Sequence, residues 1–310
     1  MEKSKLHPNN KHQDRYEIKS LVEVNPELKN FVTKNIHDQD TIEFANPLAV
    51  KELNKSLLIK HYKISEWDIP EGYLCPPVPG RADYIHYASE LLLRSNFGAE
   101  IKGDEVKVLD IGTGANCIYP IIGTHEYDWN FIGSDIDEVS LESAKKIVSQ
   151  NSRLEGKVEL RHQTDKKRIF KGVLGEDEKI HLSVCNPPFH ESAEDALKGS
   201  KRKLKNLGLD DKSPVLNFGG QSNELWYPGG EKRFVNEIIY QSKSFAQNCL
   251  WFTTLVSKEN YLKGFEQTLK EINAREVKII PMGQGNKVSR ILAWSFQNAK
   301  QQKEWFGEEK

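Results

Sequence analysis

The stretch that decides the fold is Val106-Lys-Val-Leu-Asp-Ile-Gly-Thr-Gly-Ala-Asn-Cys117, an apolar run that ends in Asp110 and continues into two glycines. A second apolar run, Phe131-Ile-Gly-Ser-Asp135, also closes on a carboxylate. Short apolar runs of this kind are typical of parallel strands that are buried on both faces. Between them and Val158-Glu-Leu, the next strand candidate, residues Val139–Ser149 place their apolar side chains on one helical face. The order predicts a βαβ unit.

The rest of the chain continues this alternation, which predicts an α/β fold with a mostly parallel sheet covered by helices on both faces. Upstream, residues 20–100 are less regular and predict an N-terminal subdomain with helices over Leu48–Tyr62 and Asp83–Leu93, separated by an extended connection over Cys75–Gly80. Downstream, the expected elements are a strand at Ile180–Val184, a helix from Glu231 to about Ala246, a strand at Leu250–Val256, a helix from about Asn260 to Ile272, and a hairpin of Glu276–Pro281 with Ile291–Phe296 joined through Gly283 and Gly285.

Composition bounds the class of protein. The chain has 310 residues, 44 Lys+Arg against 45 Asp+Glu, and 37% hydrophobic residues, which fits a globular protein rather than a disordered one. No apolar run reaches the roughly 18 residues of a membrane helix, and the opening residues lack the apolar core of a signal peptide, so we expect a cytoplasmic protein. The four cysteines are too scattered for a disulfide framework or a zinc site, and no metal is expected; they are Cys75, Cys117, Cys185 and Cys249.

Two basic patches interrupt a sequence whose formal net charge is only -1. The first, in an N-terminus that should be mobile, comprises Lys3, Lys5, His7, Lys11, His12 and Arg15. The second lies in a long Gly- and Pro-containing segment from about 190 to 230 and comprises Lys198, Lys201, Arg202, Lys203 and Lys205. Long loops are usually functional or disordered. Either patch alone fits a solvated surface, and a nucleic-acid role depends on an active site beside it.

The loop after the first strand has the form of a nucleoside site. Gly112 and Gly114 let the backbone turn tightly and let a ligand approach closely. A dinucleotide fingerprint would place a third glycine where Cys117 stands, and the Gly-Lys-Ser/Thr of a phosphate loop is absent, so pyrophosphate binding is disfavoured. Asp135, 25 residues after Asp110, is placed to accept hydrogen bonds from ribose hydroxyls. A nucleoside without phosphates fits better.

Asn186-Pro-Pro-Phe189 directly follows the strand predicted at Ile180–Val184, so it lies at the carboxyl edge of the sheet, where ligands bind. An exocyclic or amide nitrogen is a poor nucleophile because its lone pair is delocalised. The side-chain oxygen of Asn186 and the backbone carbonyl of Pro187 can accept hydrogen bonds from the two N–H groups of an amino group. These bonds direct the nitrogen lone pair toward a methyl sulfonium. Phe189 can stack on a planar substrate. The motif predicts methyl transfer to an amino group.

Together, Asp110-Ile-Gly-Thr-Gly114 and Asp135 resemble motifs I and II of S-adenosylmethionine-dependent methyltransferases, and Asn186-Pro-Pro-Phe189 resembles the motif of amino methyltransferases acting on adenine N6, guanine N2 or glutamine amide nitrogen. Three further stretches extend the resemblance to the bacterial 23S ribosomal RNA adenine-N6 methyltransferase family. They are Pro79-Gly-Arg81-Ala-Asp-Tyr84, Asn217-Phe-Gly-Gly220 and Trp226-Tyr-Pro-Gly-Gly-Glu231. The eukaryotic adenine methyltransferases of a small nuclear RNA look related.

The resemblance implies a Rossmann-like class I methyltransferase fold with a mostly parallel seven-stranded sheet, and S-adenosyl-L-methionine as cofactor. The implied organisation is a basic mobile N-terminus at 1–20, a helical subdomain at 21–100, the methyltransferase domain at 101–300 and a tail at 301–310. The implied substrate is 23S ribosomal RNA or a large-subunit assembly intermediate, recognised by a monomer without a membrane or a metal.

The same resemblance implies roles for single residues. Arg81 would contact the methionine carboxylate, a role that suits its guanidinium fork, and Thr164 would lie near the adenine. The implied cofactor-binding set is Arg81, Asp110, Gly112, Gly114, Asp135, Thr164 and Asn186. Asn186, Pro187 and Phe189 form the implied catalytic set, and the implied RNA contacts are Phe189, Lys198, Lys201, Arg202, Lys203, Lys205, Lys11 and Arg15. Lys166 and Lys167 either cover the cofactor or form a solvated charge pair.

Three other functions stay open at the level of sequence. A guanine-N2 RNA methyltransferase is one, since His190 after Phe189 also suits that class. A glutamine-N5 protein methyltransferase is the second, although the long basic loop argues against a protein substrate. The third is a non-catalytic RNA-binding ribosome-assembly factor with the same fold, which the intact motifs disfavour.

Overall fold

The computed structural model describes residues 6–192, 194–195, 222–284 and 287–307. The strands are β1 (Val32–Lys34), β2 (Asp40–Ile42), β3 (Lys107–Ile111), β4 (Asn130–Asp135), β5 (Val158–His162), β6 (Ile180–Cys185), β7 (Cys249–Val256), β8 (Glu276–Gln284) and β9 (Lys287–Ser295). The α-helices are α1 (Ile18–Val24), α2 (Pro47–Tyr62), α3 (Val78–Ser95), α4 (Ile118–Tyr127), α5 (Glu138–Ser149), α6 (Ser222–Leu225), α7 (Gly230–Ser242), α8 (Leu262–Glu271) and α9 (Ala299–Glu304).

The centre of the molecule is a seven-stranded sheet in the order β5-β4-β3-β6-β7-β9-β8. The strands from β5 to β7 in this order pair in parallel, whereas β9 pairs antiparallel with both β7 and β8. The chain passes from β3 to β4 and β5 on one side and then crosses to β6 on the other side of β3. The carboxyl ends of β3, β4 and β6 therefore meet at a switch point of the strand order, where such sheets bind ligands. The predicted fold, a parallel sheet with a terminal hairpin, is confirmed.

Helices cover both faces of the sheet. Alternate strand residues point to opposite faces, so neighbouring residues of one strand pack in two different cores. Val108 packs in the same core as α2, α3 and α4, whereas its neighbour Leu109 packs in a second core with α7 and α8. On β7 the buried side chains of Trp251 and Phe252 divide in the same way. Every residue of β7 is buried, as expected for a strand covered on both faces, and this includes Thr253 and Thr254 within an otherwise apolar run.

The N-terminal part differs from the prediction in two places. It is not purely helical, because β1 and β2 pair as a small antiparallel sheet. The connection predicted as extended over Cys75–Gly80 is also wrong in its second half, since α3 begins at Val78. Pro79 fits the first helical turn, where its missing N–H needs no partner. As a result Arg81 lies in the first turn of α3 rather than after a loop, and its N–H bonds the Pro77 carbonyl at 3.3 Å.

The prediction of a mobile N-terminus is wrong for the described residues from His7 to His12, which pack against α2 and α3. The His7 amide and the Asn10 side chain donate to the Asp83 carboxylate at 2.9 and 2.6 Å, and His12 Nε2 lies 2.9 Å from the Tyr62 hydroxyl. Burial lowers the pKa of His12 to about 3, so this ring is neutral and adds no charge to the first basic patch. The segment is held by buried polar groups, which an apolar pattern does not reveal.

Candidate active site

A cavity of about 140 Å³ lies at the carboxyl ends of β3, β4 and β6, and we call it the sheet-edge cavity. Five of the seven residues of the implied cofactor-binding set line it. These are Arg81, Gly112, Gly114, Asp135 and Asn186. Residues separated by up to 105 positions in the chain therefore meet around one space, as the switch-point geometry of the sheet requires.

The loop after β3 forms one wall of the sheet-edge cavity with its backbone. Gly112 and Gly114 have φ angles of +73° and +66°, in the left-handed region that favours glycine. The amides of Gly112 and Thr113 both donate to the Ser134 carbonyl at 2.9 Å, and Gly114 N–H donates to Asp135 Oδ2 at 2.9 Å. A Cβ on Gly112 would meet no protein atom within 4 Å, so this glycine leaves space on the cavity side for a ligand.

Asp135 ends β4, and two backbone amides hold its carboxylate. Besides the bond from Gly114, Oδ1 accepts from the Asp137 amide at 3.0 Å. Burial raises the pKa of Asp135, and the amide bonds oppose that shift. Asp137 is itself fixed, since it caps α5 through the Ser140 amide and accepts from the Tyr73 hydroxyl at 2.8 Å. The arrangement presents an oriented carboxylate whose remaining lone pairs can accept hydroxyl hydrogens.

Asp110 has a different environment from Asp135. Its side chain is fully buried and does not line the sheet-edge cavity. Neither carboxylate oxygen has a hydrogen-bond partner, and burial raises the pKa of Asp110 to about 7. The predicted cofactor contact of Asp110 therefore does not match its position; the residue lies in the wall behind the loop, because its strand position points its side chain into protein.

The structure also places Thr164 outside the sheet-edge cavity, contrary to its predicted position near an adenine. Thr164 is exposed, whereas the preceding Gln163 is buried and lines the cavity. Gln163 N–H donates to the Asp135 carbonyl at 2.8 Å and its Nε2 donates to the Lys171 carbonyl at 3.0 Å. Successive residues of an extended chain face opposite ways, so a shift of one position exchanges the inward and outward side chains.

Beyond Gln163, the same loop supplies further lining residues. Lys166, Arg168 and Ile169 line the sheet-edge cavity. Lys167 is exposed and does not line it, although its carbonyl accepts from Gln241 Nε2 at 2.9 Å. The two adjacent lysines are thus separated, with only Lys166 facing the cavity.

Arg81 and Asn186 are linked directly. Arg81 is 8% exposed, and its Nη1 donates to Asn186 Oδ1 at 3.0 Å and to the Tyr119 hydroxyl at 3.1 Å. The bond fixes the Asn186 carboxamide with its oxygen toward the guanidinium. A carbonyl oxygen has two lone pairs, so Oδ1 retains one acceptor site.

Tyr84, from the same stretch of α3 as Arg81, supports the residue before Asn186. Its hydroxyl accepts from the Cys185 amide at 3.3 Å and bonds to Thr253 Oγ1 at 2.7 Å. The side chain is fully buried. The stretch from Pro79 to Tyr84 thus positions the start of the Asn186-Pro-Pro-Phe189 motif from two sides.

A second cavity, of about 410 Å³, adjoins the first, and we call it the adjacent cavity. Phe189 and His190 line it together with two aromatic side chains from the N-terminal part, Tyr16 and Phe44. Five residues line both cavities: Leu74, Pro76, Arg81, Asn186 and Glu224. Asn186 therefore lies at the junction of two spaces. Pro187 is buried and its side chain lines neither cavity, while Pro188 lines the sheet-edge cavity.

The chain returns to this junction after the long basic segment. His190 N–H donates to the Leu225 carbonyl, and Tyr227 N–H donates to the His190 carbonyl, each at 3.0 Å. The Glu231 carboxylate then accepts from the amide and hydroxyl of Ser257, which ties the start of α7 to the end of β7. The second basic patch, with Lys198, Lys201, Arg202, Lys203 and Lys205, and the stretch Asn217–Gly220 lie outside the described residues.

The two predicted RNA contacts of the N-terminus occupy different places. Lys11 Nζ donates to Glu126 Oε1 at 2.6 Å, in the last turn of α4. That turn lies about 10 Å along the helix axis from Tyr119, so Lys11 is not beside the junction of the cavities. Arg15 is exposed and donates to Gln39, and the next residue, Tyr16, lines the adjacent cavity.

Several lining residues were not found from the sequence. Tyr227, Phe234 and Glu237 of the α7 region, and Glu224 before it, face the sheet-edge cavity. The signal for Tyr227 was present, because it belongs to the Trp226–Glu231 stretch. Tyr16 and Phe44 carried no such signal, since they come from sequence that lacks a motif.

Within the described ranges, no helix is long and apolar enough to cross a membrane. The same part of the chain contains no group of three His, Cys, Asp or Glu side chains that could hold a metal ion. All four cysteines are unpaired thiols.

Comparisons with known proteins agree with the geometry. A family model described as an RNA methyltransferase matches residues 1–298. The chain is 52% identical over 304 residues to the ribosomal RNA large subunit methyltransferase F of Cytophaga hutchinsonii, covering 98% of this chain and 94% of the relative. It is also 52% identical over 307 residues to the protein of that name from Pseudomonas putida strain W619, covering 98% and 97%.

Two solved human structures share the fold over nearly the whole chain. The hMettl16 catalytic domain in complex with the MAT2A 3'UTR hairpin 1 aligns with a TM-score of 0.79 and 28% identity, covering 96% of each chain. The N-terminal domain of METTL16 in complex with SAH aligns with a TM-score of 0.76 and 26% identity, covering 95% of this chain and 100% of that one.

Proposed function

Because this chain belongs to the family of RNA methyltransferases that includes the ribosomal RNA large subunit methyltransferases F, we propose that it methylates the N6 amino group of one specific adenine in 23S ribosomal RNA. Its membership of that family and its use of S-adenosylmethionine were both predicted from the sequence motifs, and both are confirmed. The observation that carries the proposed reaction is the position of Asn186 Oδ1 at the junction of the two cavities, fixed by Arg81.

The sheet-edge cavity fits S-adenosylmethionine. The open side of Gly112 admits a ligand against the backbone, the amide-held carboxylate of Asp135 suits the ribose hydroxyls, and the guanidinium of Arg81 suits the methionine carboxylate. We assign Gln163, rather than Thr164, to the edge of the adenine subsite, because it is the side chain of that pair that faces the cavity.

The bound cofactor supplies an electrophilic methyl group on a sulfonium. The protein has to localise the lone pair of the adenine amino nitrogen, and we assign this to the remaining acceptor site of Asn186 Oδ1 together with the Pro187 carbonyl. These hydrogen bonds strengthen as the nitrogen becomes tetrahedral and positive in the transition state, so they lower the barrier rather than only binding substrate. The nitrogen then releases a proton to solvent, because the protonated methylamino group is a strong acid.

The adjacent cavity fits an unstacked base. Phe189 lines it with Tyr16 and Phe44, and base–aromatic stacking contributes about 1–3 kcal/mol per base. Enzymes that act on a base take it out of the stack, which needs a separate pocket beside the cofactor. Arg15, next to Tyr16, and the second basic patch are the proposed contacts to RNA phosphates. Lys11 is withdrawn from that set, because Glu126 occupies it away from the junction.

We infer that the protein acts as a monomer, since residues of one chain line both cavities. The proposed substrate, as free 23S RNA or a large-subunit assembly intermediate, places the activity in the bacterial cytoplasm.

The test is mass mapping of ribosomal RNA from cells with the gene, without it, and without it but carrying an Asn186→Ala copy. We expect one methyladenine of the large-subunit RNA to disappear in the second strain and to remain absent in the third. Loss of a methylguanine instead would select a guanine-N2 enzyme. Unchanged RNA together with loss of a methylglutamine from a translation factor would select a protein methyltransferase. Restoration of the methyladenine by the Asn186→Ala copy would show that methyl transfer does not depend on Asn186, and RNA and protein methylation that are both unchanged in the second strain would indicate a non-catalytic assembly role.

A further inference from the structure

The adjacent cavity needs contacts to the RNA backbone at its rim, because a base taken out of the stack stays joined to the strand by a phosphate on each side. Five described cations are next in the chain to a residue that lines this cavity, without lining it themselves. They are Arg15, Lys51, Lys55, Lys258 and Arg290. The partners of these side chains decide which of them can bind a phosphate.

Three of the five cations are already matched by acids. The ion pairs are Lys51–Asp68 at 2.7 Å, Lys55–Glu66 at 4.0 Å and Arg290–Glu259 at 2.5 Å. Arg15 donates to the neutral Gln39 and is already among the proposed phosphate contacts. The fifth cation, Lys258, forms no ion pair with any described residue. It is therefore the charge at the rim of the adjacent cavity that has no assigned role.

Lys258 lies where the chain leaves the wall of the adjacent cavity for the surface. The preceding Ser257 lines the cavity and is half-buried, whereas Lys258 is exposed. The amide and hydroxyl of Ser257 both donate to the carboxylate of Glu231, which is 2% exposed at the start of α7. This buried clamp fixes the end of β7, so the backbone of Lys258 begins from a fixed point. The last residue of the Trp226–Glu231 stretch thereby acquires a positioning role.

The ammonium group of Lys258 is oriented by one neighbour. Its Nζ donates to the Tyr261 hydroxyl at 3.1 Å and lies 5.2 Å from the centre of the same ring. An ammonium has three donors, so two remain for a ligand. The bond to Tyr261 raises the pKa of Lys258, and the charges of Glu231 and Glu191 act in the same direction, so the side chain stays protonated at neutral pH.

The loop that carries Phe189 packs against the same part of α7. A Cβ added to Gly230 would come within 2.8 Å of Glu191 Cγ, so the two segments are in close contact. Glu191 follows Phe189 by two positions, and Gly230 directly precedes the Glu231 clamp. The aromatic ring assigned to the target base and the cation at Lys258 are therefore both anchored to the start of α7.

We propose that Lys258 binds a phosphate that flanks the target adenine of the RNA, while Arg15 binds the RNA backbone from the N-terminal part of the adjacent cavity. The inference rests on the proposed function, since it assumes an adenine of RNA in that cavity. The two cations hold the strand while the base is out of the stack. Contacts of this kind set the register of a strand without reading its bases, so Lys258 helps to determine which nucleotide enters the cavity.

The test uses the full chain and an RNA fragment that contains the methylated adenine found by mass mapping. Lys258→Ala should flatten the log–log dependence of RNA affinity on salt by about 0.7–0.9, whereas Lys258→Arg keeps the charge and should retain the wild-type slope. Lys51→Ala is the matched control, because it removes a cation that is next to the same cavity but paired with Asp68, and it should leave the slope unchanged. An unchanged slope in Lys258→Ala, or an equal decrease in Lys51→Ala, overturns the proposal.

A methylphosphonate, which removes the charge of one phosphate, locates the contact. In all fragments a deoxyribose precedes the tested linkage, which keeps that linkage stable. Placed in turn on each side of the target adenine, the methylphosphonate should weaken wild-type binding about three- to tenfold, and at one of the two positions it should weaken Lys258→Ala binding less than about 1.5-fold. The same loss in both proteins at both positions overturns the proposal. If the wild type does not methylate the unmodified fragment, the proposed function itself fails, which is a different result from a wrong assignment of Lys258.

Discussion

The sheet-edge cavity and the adjacent cavity meet at Arg81 and Asn186, yet different parts of the chain build them. The loops that follow β3, β4, β5 and β6 supply much of the lining of the sheet-edge cavity, and backbone hydrogen bonds hold them. The adjacent cavity is closed instead by side chains from outside the βαβ units, including Tyr16 and Phe44 from the N-terminal part and Met282 and Ser289 from the terminal hairpin.

The difference shows how cofactor and substrate recognition are divided. A cofactor site built from strand ends can persist with the sheet, because the topology alone brings those ends together. A substrate site built from appended segments can change without disturbing the sheet. Asn186 follows β6 but lines both cavities, so it is the residue at which the two functions are coupled.

The largest effect should come from the shared residue. We expect Asn186→Ala to lower the rate of methyl transfer by a factor of about 100–1,000, because it removes an acceptor that strengthens in the transition state, while cofactor affinity changes little. Single-turnover transfer to ribosomal RNA under saturating cofactor measures it. Arg81→Ala should lower the rate too. Since Arg81 acts partly through Asn186, the activation free energy lost in the double variant should be smaller than the sum of the two single losses. A near wild-type rate for Asn186→Ala would reduce the motif to a structural turn.

The next effect belongs to the sheet-edge cavity alone. Asp135→Ala should weaken S-adenosylmethionine binding by about 1.5–3 kcal/mol, the usual contribution of a hydrogen bond to a charged group. RNA affinity should stay the same, because Asp135 does not line the adjacent cavity. Calorimetry with cofactor and a filter-binding assay with RNA separate the two. Unchanged cofactor affinity in a folded variant would remove Asp135 from the ribose subsite.

The adjacent cavity should respond in the opposite way. Phe189→Ala removes a stacking surface worth about 1–3 kcal/mol per base, so RNA affinity and rate should fall while cofactor affinity remains. Phe189→Tyr is the matched control, since it keeps the ring and should retain most of the affinity. If both variants bind RNA as tightly as the wild type, the target base stacks elsewhere.

The same division separates what the sequence could and could not predict. Asp135 and Asn186 were found because each follows an apolar run, and the ends of parallel strands converge at one edge whatever the rest of the chain does. Glu224 could not be found in this way, because its partner Leu74 lies 150 positions away and neither residue belongs to a periodic pattern. Tyr16 was missed for the same reason.

Two errors have identifiable physical causes, one local and one non-local. Thr164 was placed in the cavity instead of Gln163 because a shift of one residue reverses the facing of an extended chain, and no residue type in that stretch fixes the register. The N-terminus was predicted to be mobile because its buried residues, His7, Asn10 and His12, are polar, and their burial depends on Asp83 and Tyr62, which are distant in sequence.

A smaller effect should distinguish the two acids of the cofactor motifs. Burial raises the pKa of Asp110 from 3.8 to about 7, so the folded protein retains a proton there that the unfolded chain loses. The contribution of this protonation to the free energy of unfolding is fully present below pH 3.8 and is lost as the pH rises through about 7. Asp110→Asn cannot titrate, so its Tm relative to wild type should increase by a few degrees between pH 5 and pH 8. A Tm difference independent of pH would show that Asp110 does not titrate in this range.

The smallest effect should come from the N-terminal cations, and it tests whether the adjacent cavity extends to the RNA backbone. Arg15 precedes Tyr16 of that cavity and pairs with the neutral Gln39, so its charge is not cancelled, whereas Lys11 forms an ion pair with Glu126 away from the junction. Each phosphate contact adds about 0.7–0.9 to the log–log dependence of RNA affinity on salt. Arg15→Ala should flatten that slope by this amount and Lys11→Ala should leave it unchanged, as measured by RNA binding across a salt series. Replacing Lys201, Arg202 and Lys203 by Ala should flatten it further. If Lys11→Ala lowers the slope and Arg15→Ala does not, the RNA backbone passes along α4 rather than past Tyr16, and the adjacent cavity is not the entrance for the target base.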